Sequence, residues 1–260
     1  MKVLLIWLKN VIQRLVRPIG LRPSRNIGGQ KNFRSDPSTD IGLELWLTGS
    51  FEKNAIAQCA SYIQPDGVVI DIGANIGVHV AHFATLAHAG KVLCFEPCRS
   101  TFAYLLQNTI GLTNVIPLNL ALSDESGFQL FFVAADDAYS GLKDTKRKPI
   151  LRTETVACFK GDEILLPLVA NLRVDLIKID VEGLETQVLK GMEKFILAHR
   201  PVIFCEIFGG SRSNPDPDST IKYCLSLGYD ARILKNAKLE SVDIHDDKYY
   251  NYFFLPKPIV

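Results

Sequence analysis

Residues that could form a ligand site follow the apolar, strand-like run Val68–Ile72. Asp71 lies in this run, and Gly73, Asn75 and Gly77 come next at alternate positions. A strand, a glycine-rich turn and a helix build the nucleotide site of an open α/β sheet, because the helix N-terminus offers free amide groups. We expect Gly73 to permit the turn and Gly77 to let the helix approach the sheet. The spacing D-x-G-x-N-x-G differs from the dinucleotide pattern G-x-G-x-x-G, and the acid favours a cationic ligand over a pyrophosphate.

A second acid, Glu96, follows the apolar run Lys91–Phe95. It stands about 20 residues beyond the glycine turn, where an acid at the tip of the second strand accepts hydrogen bonds from ribose hydroxyls. Alone, Glu96 would fit a solvated strand end equally well. Together with the Asp71 turn it predicts S-adenosylmethionine, whose ammonium and sulfonium groups are cationic. Ser123 and Asp124 follow the third strand, where Asp124 could accept from the adenine amine or simply start a turn.

Three further acids stand at the ends of two later strand-like runs. Asp180 ends the run that starts at Asp175, Glu182 follows it, and Glu206 ends the run that starts at Pro201. The carboxyl ends of parallel strands meet at the ligand edge of an open sheet. We therefore expect Asp180 to orient the reacting centre, Glu182 to act as general base, and Glu206 to be a third catalytic candidate.

These assignments have alternatives. Glu182 could instead cap the helix that begins after it. The three acids could together hold a divalent cation, but no histidine-rich ligand pattern accompanies them, so we expect no metal. His79 could reach a substrate, although a lone histidine in a first helical turn is more often structural. Lys178 interrupts an apolar strand and is expected to pair with one of the acids.

Several short motifs resemble those of one enzyme family. In chain order they are VIDIGANIG, CFEP, NLALSD, LIKIDVEGLE and FCEI. They resemble the FkbM-type S-adenosylmethionine-dependent methyltransferases over roughly residues 45–255, and the stretch Leu176–Gly191 is the most specific part. The resemblance implies a class I methyltransferase fold and O-methylation of a hydroxyl on a sugar, glycan, polyketide or other small acceptor. His79 departs from the family pattern, so no role is carried over to it.

Strand-like and helix-like runs alternate from residue 52 onward. This order predicts an α/β, Rossmann-like fold with a mainly parallel, doubly wound sheet, and the resemblance adds an antiparallel final strand. The expected strands are Val68–Ile72, Lys91–Phe95, Val115–Leu118, Asp175–Asp180, Pro201–Ile207 and Asn251–Leu255, with a hairpin strand at Phe128–Val133. The expected helices are Phe51–Tyr62, Val78–His88, Thr101–Ile110, one from about Leu184, and Thr220–Leu227. We expect the acceptor pocket to be lined by Glu44–Phe51 and by loops at Ala134–Pro149 and Gly209–Ser219.

Residues 1–40 are predicted to lie outside the methyltransferase-like domain of residues 41–260. The apolar run Val3–Leu8 is far shorter than the roughly 20 residues that span a bilayer. The basic residues Lys9, Arg14 and Arg17 follow this run, whereas in a signal peptide the positive charge comes first. We predict an amphipathic helix that docks on the domain or contacts a membrane surface weakly. Residues 18–40, rich in Pro, Arg, Gly and Ser, are predicted to be a flexible linker.

Composition narrows the class of protein. The chain has 260 residues, 47% of them hydrophobic and 22% charged, with a net charge of +1. These values fit one soluble domain and give no sign of a nucleic-acid partner. The six scattered cysteines suggest buried thiols in a reducing compartment. We therefore expect a cytoplasmic protein, and the alternative is a protein in peripheral contact with the inner face of the membrane. Two functional alternatives stay open at this point: a non-catalytic binding module and an NAD-dependent dehydrogenase.

Overall fold

The computed structural model describes residues 9, 11–209, 214 and 216–258. The strands are β1 (Ser24–Ile27), β2 (Gln30–Arg34), β3 (Val68–Ile72), β4 (Lys91–Phe95), β5 (Val115–Leu118), β6 (Ala121–Ser123), β7 (Gly127–Ala134), β8 (Ile150–Lys160), β9 (Val174–Ile179), β10 (Val202–Glu206), β11 (Tyr229–Lys235), β12 (Lys238–Ser241) and β13 (Asn251–Pro256). The helices are α1 (described over residues 11–16), α2 (Asp40–Thr48), α3 (Lys53–Ala60), α4 (Val78–Leu86), α5 (Arg99–Asn108), α6 (Gly161–Val169), α7 (Glu185–Gly191), α8 (Glu193–His199) and α9 (Pro217–Ser226).

The central sheet has eight strands in the order β12-β11-β13-β10-β9-β3-β4-β5. Strands β10, β9, β3, β4 and β5 run parallel. Strand β13 is antiparallel to both of its neighbours, β10 and β11. The predicted α/β class, the mainly parallel sheet and the antiparallel final strand are therefore confirmed.

Both faces of the central sheet are buried. Val68, Ile70 and Ile72 of β3 belong to one hydrophobic core, whereas Val69 between them belongs to a second core on the opposite face. A parallel strand covered on both sides has no polar face. This burial explains why β3 reads as a continuous apolar run. It also forces any charged side chain within these strands to find a partner inside the protein.

Sequence and structure agree best in the first half of the sheet. Strands β3, β4 and β5 have the predicted bounds, and β9 ends one residue earlier than predicted, so that Asp180 lies just beyond the strand. The hairpin expected near Gly127 is confirmed, because β7 pairs antiparallel with β8. The helix expected from Leu184 is instead two short helices, α7 and α8. Strands β6, β8, β11 and β12 and helices α2 and α6 were not predicted.

The predicted flexible linker at residues 18–40 is wrong, because β1 and β2 form a hairpin there. Ile27 and Phe33 of this hairpin are buried. Gly28 at its tip has φ +53°, and a Cβ at this position would lie 2.5 Å from the carbonyl carbon of Ala81, so the hairpin packs directly on α4. The Asn108 side chain also bonds the backbone N–H and C=O of β2, at 2.7 and 2.9 Å. Glycine here serves close packing rather than flexibility.

The described part of the N-terminal segment is docked on the domain. The ammonium of Lys9 lies 3.0 Å from Asp40, and the Gln13 side chain donates to the same carboxylate at 2.9 Å. Tyr139 donates to the other oxygen of Asp40 at 2.6 Å, which ties the loop after β7 to the same point. The apolar run of residues 3–8 lies outside the described residues. No helix in the described part of the chain is both long and apolar enough to cross a membrane.

All six cysteines are buried and unpaired. Their placement agrees with the expectation of buried thiols.

Candidate active site

A cavity of about 240 Å³ lies at the carboxyl ends of β3, β4, β9 and β10. The glycine turn after β3 forms its floor, and α2, the segment before α3, and the loop between β7 and β8 form its walls. Its polar lining consists of Lys9, Asp40, Glu44, Asn75, His79, Glu96, Asp137, Tyr139, Ser140, Arg147, Lys178, Asp180, Glu182 and Glu206. The position agrees with the rule that ligands of open α/β sheets bind beyond the carboxyl ends of the strands.

The glycine turn is shaped by close backbone approach. Gly73 has φ +78°, and a Cβ at this position would lie 1.8 Å from the carbonyl oxygen of Asp180. Asn75 also has a positive φ, 49°. Gly77 has φ +91°, but a Cβ there would come closest to Leu105 of α5, at 2.8 Å, rather than to the sheet. Gly77 therefore lets α4 approach α5, which corrects the expected helix–sheet role, and it does not line the cavity.

Glu96 lies on the cavity wall beside this turn. One carboxylate oxygen accepts from the Asn75 amide at 3.0 Å, and the other accepts from the Cys98 amide at 2.9 Å. The side chain is buried, and burial raises the pKa of Glu96 to about 7, although the two amide bonds lower it. The two backbone bonds fix the carboxylate in place. Glu96 can therefore accept hydrogen bonds from a diol placed over the turn.

Asp71 does not line the cavity, although we expected it to attract the ligand directly. Strands β3 and β9 pair in a register that sets Asp71 opposite Lys178. Asp71 is fully buried, and its Oδ1 lies 3.2 Å from the Lys178 ammonium. That ammonium also lies 3.2 Å from the Gly73 carbonyl oxygen and 3.5 Å from Asp180. The expected pairing of Lys178 with an acid is confirmed, and the role of Asp71 is to neutralise Lys178 beneath the turn.

Asp180 and Glu182 both line the cavity, as expected of a strand end. Glu182 does not cap helix α7. Instead its carboxylate accepts from Arg147 at 2.8 Å. Burial and the neighbouring Asp180 raise the pKa of Glu182 to about 8, although Arg147 lowers it. Burial also raises the pKa of Asp180, against the attraction of Lys178.

Arg147 was not predicted as a site residue. Its guanidinium carbon lies 4.2 Å from the ring centroid of Tyr139 and 5.1 Å from that of Phe208. Cation–π contacts of this kind fix the orientation of a guanidinium. Arg147 thereby joins the loop between β7 and β8 to the turn that carries Glu182, over one side of the cavity.

A buried group of ionisable residues surrounds Glu206 at the neighbouring strand end. Glu206 is 8% exposed and lines the cavity. It hydrogen-bonds Glu52, and burial followed by the charges of Asp180 and Glu52 raises the pKa of Glu206 well above its usual range. Glu52 in turn lies 3.2 Å from His79. Glu52 was missed from the sequence because it falls in the predicted helix Phe51–Tyr62, whereas in the structure it is the residue before α3.

Ser123 and Asp124 do not line the cavity. The Ser123 hydroxyl bonds Asp124 instead, at 3.1 Å. The part of this segment that reaches the cavity is the apolar stretch of residues 120–122. The structure thus places apolar side chains, and not the carboxylate of Asp124, at this part of the cavity wall.

Two of the three segments expected to line the acceptor pocket do contribute to the cavity. Glu44 and Phe51 come from the first, and residues 137–142 with Arg147 come from the second. In the third segment the described residues 209, 214 and 216–219 do not line it, although the preceding Phe208 does. Residues 210–213 and 215 lie outside the described residues.

The cavity has an excess of acidic groups. Among the described residues, seven carboxyl groups line it, against three cations, Lys9, Arg147 and Lys178, and one histidine. Burial raises the pKa of six of these seven carboxyl groups, all except Asp40, so the attraction of the lining for a cationic ligand increases with pH. With the carboxylate of Glu96 fixed beside the glycine turn, this lining fits S-adenosylmethionine. In the described part of the chain, no three His, Cys, Asp or Glu side chains converge as a metal site would require.

Comparison with known proteins supports this interpretation. The Methyltransferase FkbM domain matches residues 71–231, more than half of the chain. The chain belongs to the FkbM methyltransferase family. The strand order and the antiparallel β13 are then those of a class I methyltransferase fold, with S-adenosylmethionine as the cofactor of this FkbM domain.

Two relatives of the FkbM domain share about one third of their aligned residues with this chain. The hexuronic acid methyltransferase AglP of Haloferax volcanii is 32% identical over 156 residues, 57% of this chain and 60% of AglP. The 31-O-demethyl-FK506 methyltransferase FkbM of Streptomyces tacrolimicus is 33% identical over 160 residues, 50% of this chain and 61% of that protein. The matches thus span about three fifths of the length of these relatives. A crystal structure of a methyltransferase FkbM from Methylobacillus flagellatus aligns over 94% of this chain and 69% of its own, with a TM-score of 0.49 and 14% identity.

Proposed function

We propose that this protein is an S-adenosylmethionine-dependent O-methyltransferase that acts on a hydroxyl group of a small molecule, sugar or glycan. The observation that carries the proposal is the cavity beside the Gly73 turn, where the fixed carboxylate of Glu96 lies opposite the acids of β9 and β10. When bound, S-adenosylmethionine supplies an electrophilic methyl group. The protein must then hold the cofactor, align the acceptor oxygen and remove its proton.

The two ends of the cavity suit the two ends of the cofactor. We assign Glu96 and the turn at Gly73 and Asn75 to the ribose side. Asp180 is assigned to the methionine side. Its carboxylate lies 3.5 Å from the Lys178 ammonium, but its side chain is still 31% exposed and lines the cavity. Asp71, Gly77, Ser123 and Asp124 do not line the cavity. We assign the first two a structural role in the glycine turn and the last two a structural role next to the apolar residues 120–122.

The acceptor is assigned to the side of the cavity where Glu182, Glu206 and Arg147 lie. Carboxyl groups and a guanidinium are suited to hydrogen-bonding hydroxyl-rich molecules. The names of two relatives, a hexuronic acid methyltransferase and a 31-O-demethyl-FK506 methyltransferase, are consistent with a sugar or another hydroxyl-bearing acceptor.

Transfer of a labelled methyl group tests this proposal. The purified protein is incubated with S-adenosylmethionine labelled in its methyl group and with a fractionated metabolite extract. We expect label in a product that survives mild alkali, because methyl ethers resist alkali whereas methyl esters are hydrolysed. A folded protein that binds the cofactor but transfers label to no fraction would support the binding-module alternative instead.

The ribose assignment gives a quantitative prediction. Replacing Glu96 with Ala should weaken binding of S-adenosylhomocysteine, measured by calorimetry, by about 1.5–3 kcal/mol, because hydrogen bonds to a charged group are lost. Exposed Glu125 is the control, and Glu125→Ala should bind as wild type does. The carboxylate form accepts the ribose hydroxyls, so wild-type affinity should fall as the pH drops below about 7, the pKa of Glu96. Unchanged affinity in folded Glu96→Ala would remove the assignment.

We also propose weak attachment to anionic membrane surfaces through the N-terminal region. Leu15 and Ile19 are 64% and 72% exposed, beside the exposed basic residues Arg14 and Arg17. We expect weak flotation with anionic liposomes that decreases with salt. The double variant Arg14→Glu/Arg17→Glu should float less than wild type, and equal flotation of the two would rule out this contact.

A further inference from the structure

His79 and Glu52 form a buried pair next to the cavity. His79 Nε2 lies 3.2 Å from Glu52 Oε2, and the two side chains are 8% and 7% exposed. The His79 ring is packed by three aromatic rings, with centroids 6.2 Å away for Phe51, 5.8 Å for Phe83 and 6.3 Å for Phe204. These contacts fix the plane of the imidazole. His79 also lines the cavity, whereas Glu52 does not.

Glu52 is held in place from several sides. Its backbone is left-handed, with φ 46°, at the residue before α3. Its Oε1 accepts from the Asn251 side chain at 3.3 Å, and its carboxyl group also hydrogen-bonds Glu206. Burial raises the pKa of Glu52, but the interactions with His79, Glu206 and Lys178 together outweigh burial, and the pKa is lowered. Glu52 is therefore a carboxylate aimed at Nε2 of a fixed imidazole.

The other acids near the acceptor are poorer proton acceptors. A general base must be deprotonated at the working pH. Glu182 has a pKa of about 8 and is bound to Arg147, and the pKa of Glu206 is raised well above its usual range. Both carboxyl groups therefore hold their protons to higher pH than an ordinary carboxyl group does.

We propose that His79 is the general base that takes the proton of the acceptor hydroxyl, and that Glu52 is its positioning residue. This inference rests on the proposed O-methyl transfer. His79 Nε2 lies 3.2 Å from Glu52 Oε2, at ion-pair distance. In the tautomer that carries its proton on Nε2, the lone pair lies on Nδ1 and can take the acceptor proton. As the acceptor oxygen bonds to the methyl carbon, the carbon–sulfur bond breaks and its electron pair stays on sulfur. The acceptor proton passes to Nδ1, and the Glu52 carboxylate stabilises the imidazolium.

The experiment combines turnover with a spectroscopic signature that needs no substrate. Variants His79→Gln and Glu52→Gln are compared with His88→Gln, whose exposed histidine follows α4. We expect His79→Gln to keep its affinity for S-adenosylhomocysteine and to lose about 10²–10⁴-fold in kcat. Glu52→Gln should lower kcat with little change in the KM of the acceptor, and His88→Gln should match wild type.

Long-range proton–nitrogen NMR spectra of the free protein report which ring nitrogen of His79 carries the proton. We expect the Nε2–H tautomer in wild type and a mixture of tautomers in Glu52→Gln. An Nδ1–H tautomer in wild type overturns the proposal even if His79→Gln does not fold. Turnover of His79→Gln within a few-fold of wild type, or loss of its cofactor affinity, also overturns it. If wild type transfers no methyl group, the proposed function fails separately, while the tautomer still tests the Glu52–His79 pair.

Discussion

Replacing Lys178 with Met should destabilise the fold by about 3–5 kcal/mol, the usual cost of removing one partner of a buried ion pair. Asp71 is fully buried, and within the described residues neither of its oxygens accepts a hydrogen bond. The Lys178 ammonium at 3.2 Å is its counter-charge. Burial lowers the pKa of Lys178, but the charges of Asp71 and Asp180 raise it above its usual range. The lysine is therefore charged, and methionine would leave Asp71 without compensation.

Denaturant unfolding measures this effect against two controls. Lys222→Met, at an exposed site of α9, should change the free energy of unfolding by less than about 0.5 kcal/mol. The double variant Asp71→Asn/Lys178→Met should regain part of the lost stability, because it buries no unpaired charge. A loss below about 1 kcal/mol in Lys178→Met, against the several kcal/mol expected of a buried pair, would mean that the pair does not hold the turn together.

Replacing Gly73 with Ala should abolish the ligand site through two effects. A left-handed backbone costs a non-glycine residue about 1–2 kcal/mol, and φ is +78° here. The new Cβ would lie 1.8 Å from the Asp180 carbonyl oxygen, which cannot yield without moving the end of β9. Overpacking of this kind costs about 1–3 kcal/mol more. We expect both lower stability and no detectable binding of S-adenosylhomocysteine.

Gly49 provides the matched control for this variant. It has a similar φ of +73°, and a Cβ there meets nothing within 4 Å. Gly49→Ala should therefore lose only the backbone contribution and keep cofactor affinity. If Gly73→Ala binds S-adenosylhomocysteine as tightly as Gly49→Ala does, the close approach of the turn to Asp180 is not required for binding.

The sequence predicted the parts of the site that depend on local order along the chain. Strands β3 and β4 were found with their true bounds because an apolar run ends in a glycine turn or in Glu96-Pro97. The strand ends carrying Asp180 and Glu206 followed from the rule for parallel sheets. These positions can be predicted from the hydrophobic periodicity of the sequence and from the α/β fold class alone.

Other parts depend on which strands become neighbours. The register of β3 against β9 buries Asp71 opposite Lys178, and no local pattern specifies that register. Glu52 meets His79 only because α3 and α4 pack together. Arg147 reaches Glu182 across a loop whose composition is typical of exposed segments. The hairpin of β1 and β2 was mistaken for a linker because its glycines suggested flexibility.

Calorimetric titration of the full chain with S-adenosylmethionine, and separately with NAD, tests the cofactor assignment most directly. We expect one molecule of S-adenosylmethionine to bind per chain and NAD to give no heat of binding, since the D-x-G-x-N-x-G turn and the acid-lined cavity suit a cationic ligand. Absence of S-adenosylmethionine binding by folded protein, or binding of NAD in its place, would contradict the assignment.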